Sequence, residues 1–328
     1  MKAFPRIFPR PAVVKRLAAT VILSAMTIGS ALAAYPEKPV TVIIPLGAGG
    51  SHDLNARVIS SVLPTYLGQP VIVQLMPGSG GATGTSAAAA AAADGYTLLF
   101  THNFIDQLQQ HVTKLPYNTT KDFVTVVRTN SAAPSIIVRK DSKWQSFADM
   151  VAWGKQNPGK LRFGHSGNWG AFMVPGAMLL SDAGVKATLV PHKGGGPALQ
   201  ALLAGDIDVT MALPSVIDSQ GDAIRVLASV SATTLTKGVP TTVELGFKGI
   251  DQVGTMNRVM LAPRGVPADV LAKLRSAFVK LNDDKTYMTL MKKLGEGTDM
   301  IDGESYEKIR ANQSVKYKAL VDQLKGGK

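Results

Sequence analysis

The chain has 328 residues, of which 45% are hydrophobic and 18% are charged, and it contains no cysteine. This composition excludes a disordered chain, and the length favours two domains because one hydrophobic core rarely serves so many residues. The lack of cysteine excludes disulfides, thiol catalysis, cysteine-ligated metal and a lipid-modified cysteine, and the formal net charge is +12.

The first predicted element is an export leader at residues 1–33. Five basic residues precede an uncharged run at residues 17–32, and the small residues at 31 and 33 place cleavage near Ala33 or Ala34. The alternative, a membrane anchor, is disfavoured because a spanning helix needs about 20 apolar residues. Without the leader, 30 basic and 23 acidic residues remain, a net charge of +7. We therefore expect a periplasmic protein with a mild positive field, suited to an anion and not to nucleic acid.

Short apolar runs then alternate with helical stretches, which is typical of βαβ units. The predicted strands are residues 40–44, 71–74, 96–100, 135–138, 161–165, 187–190, 207–212, 224–229 and 256–261. The predicted helices are residues 53–66, 85–93, 146–155, 170–183, 197–203, 267–282, 287–294 and 304–324. The pattern predicts an α/β fold with two doubly wound lobes, in which ligands bind beyond the carboxyl ends of the strands.

Four glycine-rich loops each follow a predicted strand and precede a helix, at residues 45–53, 77–84, 164–170 and 191–197. Glycine permits positive φ and close approach of a ligand, while a helix start offers free N–H groups and the positive end of its dipole. Together the loops predict a site for a carboxylate or a phosphate. The alternative is that they are only tight connections, and we expect this of the second loop.

These loops also allow two other interpretations, a hydrolase active site and a zinc site. The segment GHSGN at residues 164–168 resembles a hydrolase nucleophile elbow, with Ser166 as nucleophile, His192 as base and Asp182 as acid, but Asn168 stands where the motif has glycine. The loop histidines could also hold zinc, although no pair has the usual spacing. Neither a dinucleotide fingerprint nor a P-loop occurs in the sequence.

Several residues in these loops could have a structural role instead of a role in ligand binding. Asp53 is expected to cap the first helix, and Arg57 to pair with a neighbouring acid. Trp169 could be a platform for an apolar ligand or a packing residue. Lys193 could pair with a carboxylate or be solvated.

Short segments spread over the chain carry a resemblance. In chain order they are YPEKP at 35–39, GGSHD at 49–53 with AR at 56–57, PGSGG at 77–81, DGYTLL at 94–99, LPY at 115–117, KDF at 121–123, PGKL at 158–161, VPHKGG at 190–195, GDID at 205–208, GVPT at 238–241 and LAP at 261–263. In this order they resemble the Bug family, the periplasmic receptors of tripartite tricarboxylate transporters.

The resemblance implies a hinged receptor of the type II periplasmic-binding-protein kind, with two lobes joined by crossover strands. It implies a small carboxylate ligand (a di- or tricarboxylate, an acidic amino acid or an aromatic acid) and a membrane permease with a large and a small subunit. One carboxylate would be held by backbone N–H groups of residues 46–53. The other lobe would contribute residues 164–171 and 191–196.

The sequence departs from the family pattern at positions expected in the cleft. Ala48 stands where proline is frequent, His52 where threonine is common, and His192 where tyrosine is usual. Met173-Val174 replaces His-Leu, and Asn257-Arg258 replaces a common aromatic pair, so that Arg258 would add a charge for a distal acid group.

These observations give one hypothesis: a monomeric receptor without catalytic residues, metal or cofactor, which captures a carboxylate by hinge closure. The predicted lobes are residues 34–134 with 256–328, and residues 135–255. The predicted ligand-binding residues are Leu46, Gly47, Ala48, Gly49, Gly50, Ser51, His52, Asp53, His165, Ser166, Gly167, Asn168, Trp169, Gly170, Ala171, His192, Lys193, Gly194, Asp208 and Arg258. The alternatives are a secreted α/β hydrolase and a ligand-presenting partner of a sensor.

Overall fold

The computed structural model describes Met1, residues 35–232 and residues 237–326. The predicted leader therefore lies outside the described residues, except for Met1. The chain divides into two units, Met1–Glu37 and Lys38–Lys328, and all the elements below belong to the second. Among the helices of the described residues, none combines the length and the apolar character that crossing a membrane requires.

Eleven strands lie within the described residues, and three of them consist mainly of valine, isoleucine and leucine, which suit a buried strand. They are β1 (Val40–Ile44), β2 (Val71–Leu75), β3 (Thr97–His102), β4 (Phe123–Ala132), β5 (Ser135–Arg139), β6 (Leu161–His165), β7 (Ala187–Pro191), β8 (Thr210–Ala212), β9 (Ile224–Ser229), β10 (Met256–Pro263) and β11 (Ile301–Asp302).

Twelve α-helices of the described residues fill the intervals. They are α1 (Ser51–Val62), α2 (Pro64–Leu67), α3 (Ala82–Ala89), α4 (Thr119–Asp122), α5 (Phe147–Gln156), α6 (Met173–Asp182), α7 (Gly195–Ala204), α8 (Pro214–Gln220), α9 (Ile250–Gly254), α10 (Ala268–Asn282), α11 (Lys285–Lys293) and α12 (Gly303–Gly326). A π-helical segment (Phe104–Leu108) and three short 3₁₀ turns (Ser79–Gly81, Gln109–His111 and Gly221–Ala223) complete the helical elements of the described residues.

Strands from both ends of the chain build a six-stranded sheet in the order β11-β4-β10-β3-β1-β2. Strand β1 pairs in parallel with β2 and β3, while β10 runs antiparallel to both β3 and β4. The parallel part is the doubly wound arrangement that the βαβ pattern predicts, so its loops after β1, β2 and β3 meet at one edge of the sheet.

The middle of the chain, from β5 to β9, repeats this order. Strand β6 pairs in parallel with β7, β5 pairs antiparallel with β8 and β9, and a parallel bridge between Phe163 and Val209 joins the two groups. The order β7-β6-β8-β5-β9 therefore matches β2-β1-β3-β10-β4 in the first sheet. The predicted fold class is confirmed, whereas the exact division into lobes stays a prediction.

One long strand was missed by the sequence analysis. Strand β4, ten residues long, lies between β11 and β10 in the six-stranded sheet, and only Ala133 and Pro134 separate it from β5 in the second sheet. Its first half, FVTVV, has the β-branched composition of a strand, but its polar second half hid it.

The first helix differs from its prediction at both ends. It begins at Ser51 instead of Asp53, with Gly50 as the N-cap, and it ends at Val62 before a separate turn of helix at α2. The break falls at Pro64, which occupies the start of α2, because proline fits the first turn of a helix and not its interior. The predicted strand at residues 207–212 is likewise shorter and starts only at Thr210.

Candidate ligand-binding site

A cavity of about 560 Å³ lies among the segments that follow strands β1, β2, β3, β6 and β7. Its wall combines loops from both sheets, at the carboxyl ends of their parallel strands, where an open α/β sheet binds its ligands. The residues that line it are Pro45, Leu46, Gly78, Ser79, Gly80, Gly81, Gln109, Thr113, Ser166, Gly167, Asn168, Pro191, His192, Lys193 and Pro197.

Six residues of the predicted site lie on this wall, and they come from the first, third and fourth glycine-rich loops. They are Leu46, Ser166, Gly167, Asn168, His192 and Lys193. The remaining predicted residues do not line the cavity: Gly47, Ala48, Gly49, Gly50, Ser51, His52, Asp53, His165, Trp169, Gly170, Ala171, Gly194, Asp208 and Arg258.

The second glycine-rich loop belongs to the wall, contrary to our expectation that it is structural only. Four consecutive residues of this loop, 78–81, line the cavity, and Gln109 fixes them by donating from Nε2 to the carbonyl oxygens of Ser79 (3.3 Å) and Gly80 (3.0 Å). The sequence analysis missed Gln109 and Thr113 because no glycine marks them. Their position shortly after strand β3 was the signal that could have found them.

The first and fourth loops touch each other backbone to backbone. The N–H of Gly47 donates to the carbonyl oxygen of Lys193 at 3.1 Å. A Cβ atom on Gly196 would stand 2.2 Å from the carbonyl oxygen of Ala48 and 2.9 Å from the nitrogen of Gly50. Residues 47–50 therefore pack against residues 194–196 instead of lining the cavity. At position 196 only glycine fits, because any Cβ atom would collide with the backbone of the first loop.

Asp53 organises the first loop from inside the helix. It lies at the third position of α1, so the prediction that it is the N-cap is wrong. Its carboxylate accepts a hydrogen bond from the N–H of Gly49 at 2.9 Å and forms an ion pair with Arg57 at 2.9 Å. The predicted pairing of Arg57 with a neighbouring acid is thus confirmed, and Asp53 holds the first loop through its hydrogen bond with Gly49.

Arg258 is buried beneath the same loop. Its side chain is 0% exposed, and it forms an ion pair with Glu296 at 2.9 Å. The guanidinium also donates to Asn130 Oδ1 at 3.1 Å and to the hydroxyl of Ser51, the first residue of α1. Its charge is already balanced by Glu296, so this placement corrects the expectation that Arg258 meets a distal acid group of the ligand.

Asp208 and Trp169 belong to other parts of the surface. Asp208 accepts from Arg162 through both carboxylate oxygens, at 3.0 Å and 2.6 Å, and lines a separate cavity of about 220 Å³. Trp169 lines another cavity of about 430 Å³ together with Met173 and Leu320. Neither residue contributes to the wall of the 560 Å³ cavity, so Trp169 offers no platform there.

The histidines of the third and fourth loops are linked to each other. The backbone N–H of His192 donates to the carbonyl oxygen of His165 at 2.9 Å, and His165 Nδ1 lies 3.0 Å from the carbonyl oxygen of Gly167. Burial lowers the pKa of both imidazoles below the ordinary value, so both are expected to be neutral at pH 7. His192, which lines the cavity, therefore offers a hydrogen bond there instead of positive charge.

His52 packs against His102 in the interior, with ring centroids 4.9 Å apart. Burial lowers the pKa of His102 to about 3, and the Arg258 charge adds to this effect. Burial also lowers the pKa of His52 well below its ordinary value, with further contributions from His102 and Arg258. Two neutral imidazoles therefore lie behind the first loop.

The residues of the hydrolase alternative lie at two different cavities, and the described residues show no cluster for the zinc alternative. Ser166 and His192 line the 560 Å³ cavity, but Asp182 lines the separate cavity beside Trp169, so these residues do not form a triad at one cavity. Within residues 35–232 and 237–326, no group of three or more histidine, aspartate or glutamate side chains is placed to hold a metal ion.

The described residues of the cavity wall carry a single positive side chain and no negative one. Among the described residues that line it, Lys193 is the one Lys or Arg side chain, and no aspartate or glutamate is present. Helix α3 starts directly after Gly81, and helix α7 starts two residues after Lys193. Their N-terminal dipole ends add to the lysine charge, so the wall favours an anion.

Comparison with known proteins finds a matching family and similar sequences. The sequence profile of the family described as "Tripartite tricarboxylate transporter family receptor" matches residues 55–325. Protein BugT of Bordetella pertussis is 30% identical to this chain over 246 residues, which cover 73% of this chain and 75% of BugT.

Two solved structures are similar over most of the chain. The periplasmic binding protein BugD matches with a TM-score of 0.82 and 26% identity, over 88% of this chain and 98% of its own. MatC of Rhodopseudomonas palustris, solved with bound malate, matches with a TM-score of 0.81 and 25% identity, over 88% of this chain and 100% of its own.

Proposed function

Because the chain belongs to the tripartite tricarboxylate transporter receptor family, as its motifs indicated, we propose that it is a periplasmic solute-binding protein for a small carboxylate. The cavity of about 560 Å³ is the proposed binding site. The observation that carries the proposal is its wall: one lysine, two neighbouring helix starts and no carboxylate among the described lining residues. The malate bound to the similar protein MatC supports the same ligand class.

The proposed mechanism is capture by hinge closure. The lobes would be residues 34–134 with 256–328, and residues 135–255, moving about the paired strands β4 and β10. The loop after β2 would receive the ligand, and the loops after β6 and β7 would close over it. The predicted leader would direct the chain to the periplasm, where the monomeric receptor delivers the unchanged ligand to a permease of a large and a small subunit.

We expect a thermal-shift screen to identify the ligand class. The panel comprises aliphatic dicarboxylates, citrate, acidic amino acids, and aromatic mono- and diacids. A ligand that binds only the folded protein, present at about a hundred times its dissociation constant, adds roughly 2.7 kcal/mol to the free energy of unfolding. A shift with one class and recovery of unchanged ligand would support the proposal. No shift with any acid would contradict carboxylate capture, and chemical conversion would contradict the receptor assignment.

We further expect Lys193→Gln to weaken binding of the acid found in that screen roughly 5- to 10-fold. The substitution removes the cationic side chain from the wall but keeps the carbonyl oxygen that accepts from Gly47. Hydrogen bonds to charged groups are worth about 1.5–3 kcal/mol, less when exposed to solvent. Isothermal titration calorimetry measures the change. Lys160→Gln, which removes an exposed lysine outside the wall, is the control, and equal affinities of both variants would exclude Lys193 from the site.

A further inference from the structure

Two short segments connect the proposed lobes. Ala133 and Pro134 separate β4 from β5, and Thr255 alone separates helix α9 from strand β10. At both places the chain passes between the six-stranded sheet and the elements of the second sheet. Hinges are commonly a few residues at the ends of such elements, so a movement of the lobes would change the backbone here.

The side chain of Asn103 holds the segment around Thr255. It is 0% exposed, its Nδ2 donates to the carbonyl oxygen of Thr255 at 3.1 Å, and its Oδ1 accepts from the N–H of Asn257 at 2.9 Å. The antiparallel pairing of β3 with β10 ends at His102 and Arg258. The backbone of Asn103 is already helical (φ −51°, ψ −31°), so its amide, which both donates and accepts, continues the pairing in place of the backbone.

Asn103 also joins the C-terminal helix to the segment that leads to the cavity. Its Nδ2 donates to the hydroxyl of Tyr317 in α12, and Tyr317 is 4% exposed within an apolar cluster that contains Met256. The π-helical segment begins directly after Asn103, and the wall residues Gln109 and Thr113 follow it. The hydrogen bonds of Asn103 to residues 255, 257 and 317 are named the Asn103 clamp. In these buried surroundings, the loss of one partner leaves a polar group unsatisfied, which is costly.

We propose that Asn103 is the positioning residue of the hinge, which holds residues 255–257 to the end of β3 and so limits the open conformations of the ligand-free protein. The inference rests on the proposed function, because it concerns the hinge by which the ligand is captured. Asn103 does not line the cavity, so it acts without touching the ligand. When the clamp is broken, the crossover gains conformations that ligand binding must order again, and the affinity falls.

Two matched tyrosine substitutions in α12 test the clamp. Tyr317→Phe removes the hydroxyl that Asn103 contacts. Tyr306→Phe, the control, removes a similarly buried hydroxyl that donates to Gln313 of the same helix at 3.4 Å. Both variants lose one hydroxyl from the same helix, but only Tyr317→Phe breaks a hydrogen bond of the hinge.

The distance between the lobes is the first readout, and it needs no ligand. Because the chain has no cysteine, cysteines introduced at the exposed Thr65 and Gln200 are the only sites that take spin labels. Double electron–electron resonance of the ligand-free protein measures the distribution of distances between them. We expect a broader distribution for Tyr317→Phe than for the unchanged protein, and no broadening for Tyr306→Phe.

Affinity is the second readout, measured by calorimetric titration with L-malate or with the acid that the thermal-shift screen selects instead. We expect Tyr317→Phe to bind about 2- to 10-fold more weakly and Asn103→Ala about 10- to 100-fold more weakly than the unchanged protein. Tyr306→Phe should bind like the unchanged protein. If Asn103→Ala does not fold, the two tyrosine variants still decide the question.

The outcomes separate this inference from the proposed function. Equal widths for Tyr317→Phe and the unchanged protein, or equal broadening by Tyr306→Phe, would overturn the role of Asn103. Broadening by Tyr317→Phe alone, with no acid bound by any of the proteins, would contradict carboxylate capture and leave the clamp intact. An acid that binds the unchanged protein without altering the distance distribution would overturn both hinge closure and the clamp.

Discussion

Gly196→Ala is expected to weaken ligand binding roughly 5- to 150-fold while the protein remains fully folded. The new Cβ atom would stand 2.2 Å from the carbonyl oxygen of Ala48 and 2.9 Å from the nitrogen of Gly50. Both neighbours are backbone atoms, so the clash is relieved only if the first and fourth loops move apart. Overpacking of this kind costs about 1–3 kcal/mol, and each 1.4 kcal/mol is tenfold in affinity.

The substitution separates binding from folding. Gly196 lies in the first turn of helix α7, where alanine is a better helix former than glycine. Without ligand the two loops can move apart and relieve the clash, so the free energy of unfolding of the ligand-free protein should not fall. Calorimetric titration with the acid identified in the screen measures the affinity, and urea denaturation measures the stability.

The matched control for Gly196→Ala is Gly297→Ala. A Cβ atom on Gly297 would meet only Asp299 Oδ1, at 3.4 Å, which is ordinary contact. The control should bind like the unchanged protein. If Gly196→Ala also binds normally, the contact between the first and fourth loops is not part of the ligand-bound state.

The second large expected effect is a loss of folding stability at acidic pH, which arises from the buried imidazole of His102. Burial lowers the pKa of His102 to about 3 in the folded protein, against about 6.5 in the unfolded chain. Below pH 6.5 the unfolded chain binds a proton that the folded protein does not. The stability contribution of the neutral imidazole is therefore present above pH 6.5 and lost as the pH falls towards 3, by about 1.4 kcal/mol per pH unit.

His102→Asn should remove this dependence. The N–H of Ile105 donates to His102 Nδ1 at 3.4 Å, and the side-chain oxygen of asparagine can accept the same bond. Between pH 7.5 and pH 5, we expect the unchanged protein to lose about 2 kcal/mol more of its free energy of unfolding than the variant does. Urea denaturation at a series of pH values measures both curves.

His111→Asn serves as the comparison for His102→Asn. His111 is only half-buried, and burial lowers its pKa less far, so its removal should flatten the curve less. If the curves of the unchanged protein and His102→Asn are parallel between pH 7.5 and pH 5, the low pKa of His102 is wrong.

Much of the fold could be predicted because its signals are local. The β-branched runs of β1 and β5 predicted these strands, and the glycine-rich segments between strands and helices predicted the position of the loops. Strand β4 was not predicted because its second half is polar. It is buried between β10 and β11 by partners that the local sequence does not reveal.

The wall of the cavity was harder to predict because it depends on contacts between distant segments. The glycine-rich residues 47–50 indicated a binding loop, but the fourth loop lies against them, and its Lys193 carbonyl oxygen accepts the hydrogen bond of the Gly47 N–H. Gln109 carries no recognisable motif, and it reaches the wall because the segment after β3 folds back onto the second loop.

The sequence by itself determined the alternation of strands and helices, the loops at the carboxyl ends of the strands, and the family. These follow from periodicity, backbone preferences of glycine and proline, and short motifs, all of which act within a few residues. Only the tertiary structure decided that Arg258 is paired with Glu296 beneath the first loop and that Lys193 lies on the cavity wall. Charge partners and access to solvent depend on which distant segments pack together, and no local pattern contains that information.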